Sequence, residues 1–207
     1  MRTRVKICGI TRVEDGLAAV AQGADAIGLV FYPPSPRHVS TEIAAEIAAA
    51  MPAFVTVTGL FVDADSQTIA GIVSEVGIDL IQFHGDESPE YCDDHDRPWI
   101  KAIRMKAGIN LQQIAQQYEV AKALLLDAYT PGVPGGTGEV IYWQRIPEDL
   151  QLPLILAGGL SPENITAAVQ QVHPYAVDVS GGVEQSKGIK DPEKIAAFVR
   201  GVRLAEQ

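Results

Sequence analysis

The segment Lys6-Ile7-Cys8-Gly9-Ile10-Thr11 decides how the chain begins to fold. Residues 3–8 alternate in the way a β-strand does, and the glycine that follows them ends the run. Thr11 and Glu14 form a capping-box pattern, which predicts a helix that opens there and runs to Gln22. The segment therefore indicates a strand, a turn and a helix, with a cysteine at the carboxyl end of the strand.

The same strand-then-helix unit recurs along the chain. Capping side chains precede a proline at Ser88-Pro89, Ser161-Pro162 and Asp191-Pro192, and Asn110 with Gln113 is a weaker capping box. These patterns predict helix starts between short β-branched runs. The predicted strands are, in chain order, Val5–Cys8, Ala26–Phe31, Val55–Val62, Leu80–His84, Trp99–Arg104, Ala123–Asp127, Leu154–Ala157 and Ala176–Ser180.

Strands that alternate with helices favour a parallel sheet. Eight units without a break in composition predict that the sheet closes into a (β/α)8 barrel, the TIM-barrel fold. An open Rossmann-type sheet is the alternative, but no G-x-G-x-x-G pattern follows the first strand. With 207 residues, little chain remains for a second domain, so we expect one α/β barrel domain over residues 1–207.

Composition narrows the class of protein. No uninterrupted apolar run is long enough for a membrane span, and the first residues lack a signal-peptide pattern. The formal charge of -10 argues against nucleic acid or an anionic membrane as partner. Two cysteines are too few for a disulfide framework, so we expect a cytoplasmic protein. The negative net charge does not exclude a small anionic ligand, which helix N-termini and one or two arginines would hold. The sequence leaves a monomer and a homodimer equally open.

Four predicted strands end in polar residues. Alternate strand residues point into a barrel, and the last inward residue faces the mouth where catalytic groups lie. A barrel built only for stability has no reason to collect such groups at one rim. Counting back from the strand ends, the inward pairs are Lys6 with Cys8, Gln82 with His84, Leu125 with Asp127, and Asp178 with Ser180.

Each polar strand end has a structural alternative. His84 before a glycine is either a turn residue or a ligand contact, and Asp127 either caps its loop or acts chemically. Lys6 and Asp178 are expected to form an interior ion pair, and the Lys6 charge is expected to favour the Cys8 thiolate. Cys92 lies among acidic neighbours and is expected to be inert.

Two late turns are suited to an anion. Gly158 and Gly159 follow the seventh strand, and Gly181 and Gly182 follow the eighth, where many barrels of this type bind phosphate. Glycines let backbone N–H groups converge on a ligand. Arg37 lies in the proline-rich connection after the second strand, and its planar guanidinium suits a substrate carboxylate.

Taken together, these motifs resemble the phosphoribosylanthranilate isomerase family of tryptophan biosynthesis. The resemblance spans nearly the whole chain, and the ordered set is far more specific than any one motif. The motifs are Lys6-Ile7-Cys8-Gly9-Ile10-Thr11, Gly23-Ala24-Asp25-Ala26-Ile27-Gly28, Ser35-Pro36-Arg37, Gln82-Phe83-His84-Gly85, Leu125-Leu126-Asp127, Gly135-Gly136-Thr137-Gly138, Leu156-Ala157-Gly158-Gly159-Leu160 and Asp178-Val179-Ser180.

The resemblance implies an isomerase that performs an Amadori rearrangement of N-(5-phosphoribosyl)anthranilate by general acid–base catalysis, without a metal or an organic cofactor. By the family pattern, Asp127 is the general acid and Cys8 is the general base. The expected substrate-binding residues are Arg37 for the carboxylate, the two glycine turns for the phosphate, and a pocket wall that includes His84 and Gly136. Asp178 and Ser180 complete this predicted set.

Three alternatives stay open at this stage. Cys8, His84, Asp127 and Asp178 are a mixed set of metal ligands, which is compatible with a zinc or iron enzyme. A barrel that only binds a phosphorylated sugar is the second alternative. The third is a related barrel that acts on indole-glycerol phosphate, but the further lysine and glutamate expected at its strand ends are not found.

Overall fold

The architecture is a closed barrel of eight parallel strands surrounded by helices. The computed structural model describes residues 2–106, 108–127, 143, 146–147 and 149–207. The strands follow chain order around the barrel, and β1 closes it by pairing with β8. They are β1 Arg4–Cys8, β2 Ala26–Val30, β3 Thr56–Phe61, β4 Leu80–Phe83, β5 Trp99–Arg104, β6 Leu124–Asp127, β7 Leu154–Ala157 and β8 Ala176–Val179. The prediction of a (β/α)8 barrel is confirmed, and each predicted strand agrees within one residue at either end.

The helices of the described residues lie between successive strands and after the last one. They are α1 Val13–Gln22, α2 Thr41–Ala50, α3 Ser66–Val76, α4 Pro89–Asp93, α5 Leu111–Gln117, α6 Ile165–Val172 and α7 Pro192–Leu204. The predicted N-caps Ser88, Asn110 and Asp191 each accept a hydrogen bond from the first turn of their helix. Over the same part of the chain, no helix has the length and apolar character that a membrane crossing needs.

The predicted capping box at Thr11 and Glu14 is wrong. Helix α1 begins at Val13, and the Thr11 hydroxyl donates instead to the Gly188 carbonyl oxygen at 2.5 Å. The partner of Thr11 is 177 residues away in sequence, so the local pattern could not reveal it. The hydroxyl joins the first loop of the barrel to the last one.

The predicted helix start at Ser161-Pro162 is also wrong. Helix α6 begins at Ile165, and the Asn164 side chain accepts a hydrogen bond from the Ser161 N–H at 2.8 Å. The Asn164 amide also donates to the Gly159 carbonyl oxygen at 2.9 Å. Residues 161–164 therefore form a turn between the glycine pair and the helix.

A small hairpin follows β8, and the sequence patterns did not predict it. After one 3-10 turn at Gly181–Val183, strand β9 Glu184–Ser186 pairs with β10 Ile189–Lys190 in antiparallel fashion. The Lys190 N–H donates to a carboxylate oxygen of Asp15 in α1 at 3.0 Å. The hairpin is thereby fixed to the opposite end of the chain.

The core has two layers. Apolar residues between strands and helices, among them Ile7, Phe61 and Phe198, are fully buried and form the main cluster. Inside the barrel, Ile100, Leu125 and a few small neighbours fill the lower half. At the carboxyl ends of the strands the interior opens into the cavity described below, whose wall combines polar groups with apolar residues such as Val30 and Leu60.

A buried ion pair braces the loops after β3 and β4. Lys101 points outward from β5, and its ammonium group lies 2.6 Å from a Glu87 carboxylate oxygen, with both side chains buried. Lys101 also donates to the Gly85 carbonyl oxygen at 2.8 Å, and Glu87 accepts from the N–H groups of Asp63 and Gly85. The pair therefore fixes the turn that begins immediately after His84.

We expect Lys101→Met to destabilise the protein by about 3 kcal/mol, because it leaves the Glu87 carboxylate buried without its cation. Urea unfolding followed by circular dichroism measures the change. The control is Lys122→Met, which removes a lysine from an exposed position before β6. Equal unfolding midpoints for the two variants would show that the buried pair contributes nothing to stability.

Candidate active site

The carboxyl ends of the strands open into a cavity of about 630 Å³. Its wall contains Cys8 from β1, His84 after β4, Asp127 at the end of β6, and Asp178 with Ser180 at the end of β8. The inward parity predicted from the strand ends is therefore confirmed. Arg37 and the glycine pairs 158–159 and 181–182 also line the cavity.

One predicted contact is not described. Gly136, which was predicted to line the pocket, lies outside the described residues. All the other predicted site residues line the same cavity.

The floor of the cavity holds a buried ion pair. The Lys6 ammonium group lies 3.0 Å from an Asp178 carboxylate oxygen, and both side chains are less than one-tenth exposed. The two residues stand opposite each other in the β1–β8 register. Burial disfavours the charged ammonium, but the charge of Asp178 and the neighbouring Cys8 outweigh it and raise the Lys6 pKa.

The expectation that Lys6 favours the Cys8 thiolate is confirmed, since Lys6 acts to lower the pKa of Cys8, but burial outweighs this effect. Burial is the largest influence on the thiol, and it raises the pKa of Cys8 above its ordinary value. Lys6 does act to lower that pKa, but the negative charge of Asp178 opposes it. Because Lys6 is already paired, its charge is partly cancelled where the thiol lies.

Gly28 makes room for the thiol, and the sequence reasoning missed this role. A methyl group at Gly28 on β2 would lie 2.7 Å from the Cys8 sulfur and 3.0 Å from the Lys6 nitrogen. The available signal was an isolated glycine inside a predicted strand, which often marks a close approach. A side chain at this position would therefore displace the reactive sulfur.

A chain of polar groups leads to Asp127. His84 Nε2 lies 3.5 Å from Asp127 Oδ2, and both side chains are about one-quarter exposed. The amide nitrogen of the buried Gln82 lies 3.3 Å from His84 Nδ1. With Nδ1 as acceptor, Nε2 carries the imidazole proton and faces the carboxylate. Gln82 thus orients the imidazole against Asp127.

The two glycine turns pack directly against each other. Gly158 and Gly159 both have positive φ, of 80° and 67°, a region that residues with a side chain rarely occupy. A methyl group at Gly182 would lie 1.9 Å from the Leu160 carbonyl oxygen, so no side chain fits there. The turns after β7 and β8 therefore form one continuous lining, with no side chain between them.

Arg37 reaches the cavity from the loop after β2, as predicted, and it has a partner that the sequence did not reveal. Its Nε and Nη2 atoms lie 2.7 and 2.8 Å from the two carboxylate oxygens of Glu184 in the hairpin. Lys190 contacts the same carboxylate at 3.0 Å. Glu184 and Lys190 belong to strands of three and two residues, too short to give a periodic signal.

The other sulfur lies away from this cavity. Cys92 in α4 is fully buried, and burial raises the pKa of its thiol to about 12. Its side chain therefore stays protonated near neutral pH, in agreement with the prediction that it is inert.

The described part of the chain does not support the alternative of a metal enzyme. Across those residues, no group of three or more His, Cys, Asp or Glu side chains is placed to hold a metal ion. Cys8, His84, Asp127 and Asp178 line one cavity without forming such a cluster.

Comparison with known proteins agrees with this geometry. The family model for N-(5'-phosphoribosyl)anthranilate isomerase matches residues 5–201. A relative of that name from Nitrosococcus oceani is 61% identical, with 98% of each chain covered. The crystal structure of phosphoribosylanthranilate isomerase from Thermotoga maritima has a TM-score of 0.90 at 40% identity, covering 97% of this chain and 98% of that one.

Two further solved structures of related isomerases are similar to this chain, one with a bound ligand and one of altered oligomeric state. One is a complex of the isomerase with reduced 1-(o-carboxyphenylamino)-1-deoxyribulose 5-phosphate, with a TM-score of 0.82 and 37% identity over 97% of this chain and 98% of that one. The other holds monomers made from the dimeric Thermotoga maritima protein, with a TM-score of 0.81 and 36% identity at the same coverage. The chain belongs to the N-(5'-phosphoribosyl)anthranilate isomerase family.

Proposed function

We infer that this protein is the isomerase of tryptophan biosynthesis that converts N-(5'-phosphoribosyl)anthranilate into 1-(2-carboxyphenylamino)-1-deoxyribulose 5-phosphate. The observation that carries this inference is a single cavity whose wall contains a thiol, a carboxyl group and two adjacent glycine turns. Cys8 and Asp127 enter it from β1 and β6, with β7 and β8 between them in the barrel. Such a separation leaves room for a sugar between an acid and a base.

We propose that Asp127 is the general acid. Its proton passes to the ribose ring oxygen while the bond from that oxygen to C1′ breaks, and the anilino nitrogen lone pair forms the Schiff base. His84, whose Nε2 lies 3.5 Å from the carboxylate, is placed to orient Asp127. This role requires Asp127 to be protonated when the substrate binds.

We propose that Cys8 is the general base. Its thiolate removes the proton from C2′, and the electrons of that bond move toward the Schiff-base nitrogen to give an enolamine. The enolamine becomes the product ketone when its hydroxyl proton leaves and C1′ gains a proton. The raised pKa of Cys8 means that little thiolate is present near neutral pH, but the thiolate that forms is a stronger base.

We propose that the two acidic ends of the substrate are held by different parts of the rim. Arg37 takes the anthranilate carboxylate, since a guanidinium matches a carboxylate in shape and charge. The glycine turns after β7 and β8 take the phosphate with their backbone N–H groups, supported by their direct packing. Asp178 acts through Lys6, because its carboxylate is paired with that ammonium group.

We also propose that the chain from residue 1 to 207 is one domain and that it works in the cytoplasm. Both cysteines are free thiols, which agrees with a reducing compartment.

We expect Cys8→Ser to lower kcat by a factor of about 10² to 10⁴, because a hydroxyl is a far weaker base at the same position. A fluorescence assay that follows consumption of phosphoribosylanthranilate measures the rate. The matched control is Cys92→Ala, which removes the other thiol and leaves the cavity unchanged.

The same assay gives the pH dependence. Since burial raises the pKa of Cys8, the residual kcat/KM of Asp127→Asn, which has no titrating acid at position 127, is expected to increase from about pH 7 to about pH 9 as the thiolate fraction grows. Near-native activity of Cys8→Ser, or a flat profile of Asp127→Asn over this range, would contradict the role of the thiol as base.

Asp127→Asn is expected to lower kcat by a factor of about 10² to 10⁴, because an amide cannot donate the proton that opens the ring. The control is Asp96→Asn, an exposed aspartate after α4. Turnover of Asp127→Asn equal to that of the control would remove Asp127 from the mechanism.

Gly182→Ala is expected to raise KM by about tenfold or more, because a methyl group 1.9 Å from the Leu160 carbonyl oxygen forces the two phosphate-binding turns apart. The control is Gly71→Ala in α3, where an added methyl group meets nothing within 4 Å. Steady-state kinetics and thermal unfolding are measured on both variants. An unchanged KM in Gly182→Ala would argue against the phosphate site.

A further inference from the structure

The hairpin after β8 holds Arg37 by one edge only. Glu184 is 8% exposed, and its two carboxylate oxygens accept from Arg37 Nε and Nη2 at 2.7 and 2.8 Å. Such paired, charge-assisted hydrogen bonds fix the plane of a guanidinium as well as its position. The Arg37 backbone is also fixed, because its N–H donates to the Ser35 hydroxyl at 3.1 Å.

Glu184 is itself held in place. Its Oε1 atom accepts from Lys190 Nζ at 3.0 Å and from the Gly188 N–H at 3.3 Å. The Lys190 side chain is fully buried and also donates to the Ser180 carbonyl oxygen at 3.1 Å. Burial acts to raise the pKa of Glu184, but the hydrogen bonds and charges of Arg37 and Lys190 hold it below its ordinary value.

The other edge of the guanidinium is available to a ligand. A guanidinium carries five N–H groups, and Glu184 takes one from Nε and one from Nη2. Within the described ranges, Arg37 Nη1 donates no hydrogen bond to the protein. Among those residues, Arg37 lines the cavity, whereas Glu184 and Lys190 do not.

The charges of this cluster leave a net cation. An arginine paired with one carboxylate would be neutral toward a second carboxylate. Lys190 adds a buried positive charge to the same carboxylate, so two cations and one anion stand together. An incoming anion therefore meets a positive site rather than a neutralised pair.

We propose that Glu184 is a positioning residue that fixes Arg37 so that the Nη1–Nη2 edge receives the carboxylate of the ligand, while Lys190 keeps this corner cationic. The proposal rests on the proposed function, since it takes Arg37 as the carboxylate-binding residue. Its physical basis is preorganisation, because an arginine that is already held loses less side-chain freedom when the ligand binds.

The test measures the binding of two ligands to the unmodified protein, to one variant and to one control. The first ligand is reduced 1-(o-carboxyphenylamino)-1-deoxyribulose 5-phosphate, and the second is its phenylamino counterpart, which lacks only the aromatic carboxylate. Dissociation constants are measured by titration calorimetry on the full chain, together with circular dichroism. The variant is Glu184→Gln, and the control is Glu193→Gln, an exposed glutamate in the first turn of α7.

We expect Glu184→Gln to weaken binding of the carboxylated ligand by about 30-fold, because one charge-assisted contact to Arg37 is lost and the guanidinium is free to turn. Binding of the phenylamino counterpart should change by less than about twofold. In the Arg37→Gln background, Glu184→Gln should then have no further effect on the ratio of the two constants, because Glu184 acts through Arg37.

Each other outcome overturns the proposal. If Glu184→Gln weakens both ligands equally, the residue has only a structural role. If the unmodified protein prefers the carboxylated ligand and Glu184→Gln keeps that preference, the positioning role alone fails. If the unmodified protein shows no preference, the assignment of Arg37 in the proposed function fails with it. Glu184→Asp, which shortens the side chain by one methylene, is the second variant, and it should show the same selective loss at about fivefold.

Discussion

Closure of the eight parallel strands is the constraint on which the rest of this structure depends. Pairing of β1 with β8 places Lys6 opposite Asp178, and the next inward residue on β1 is Cys8. Because side chains alternate along each strand, closure sends every second residue of all eight strands into one narrow space. Apolar residues fill its lower half, and polar residues that would be costly to bury there stand at the open end.

Placing a buried ion pair beside Cys8 affects the pKa of the thiol. The buried Lys6–Asp178 pair organises the floor, but each partner cancels much of the field of the other at Cys8. Burial, the largest influence, therefore raises the pKa of the Cys8 thiol above that of a free cysteine. In the mechanism that we propose, a base that is rarely ionised but strong when ionised suits removal of a proton from carbon, which is a weak acid. Base strength matters more in that proposal than the fraction of thiolate.

The rim is built by contacts between loops that are remote in sequence. The hairpin after β8 contacts Thr11 after β1 and Arg37 after β2, while Lys101 and Glu87 brace the turn beside His84. Loops in barrel enzymes carry the chemistry, and loops alone have little rigidity. Charged pairs supply that rigidity here. Arg37–Glu184 fixes an arginine that lines the cavity, and Lys101–Glu87 fixes the turn next to His84.

The sequence alone determined the barrel, the inward parity of the strand ends and the polar side chains that these ends bring to the cavity. These follow from local periodicity, because a strand of four residues already decides which side chains face in. Only the tertiary structure decided the partner of Thr11, the hairpin with Glu184 and Lys190, the room that Gly28 leaves for Cys8, and the direction of the shift in the Cys8 pKa. The contacts Thr11–Gly188, Arg37–Glu184 and Cys8–Gly28 join groups 20 to 177 residues apart that closure of the barrel brings within a few ångströms. A distance or an electric field set by such pairs has no trace in the spacing of neighbouring residues.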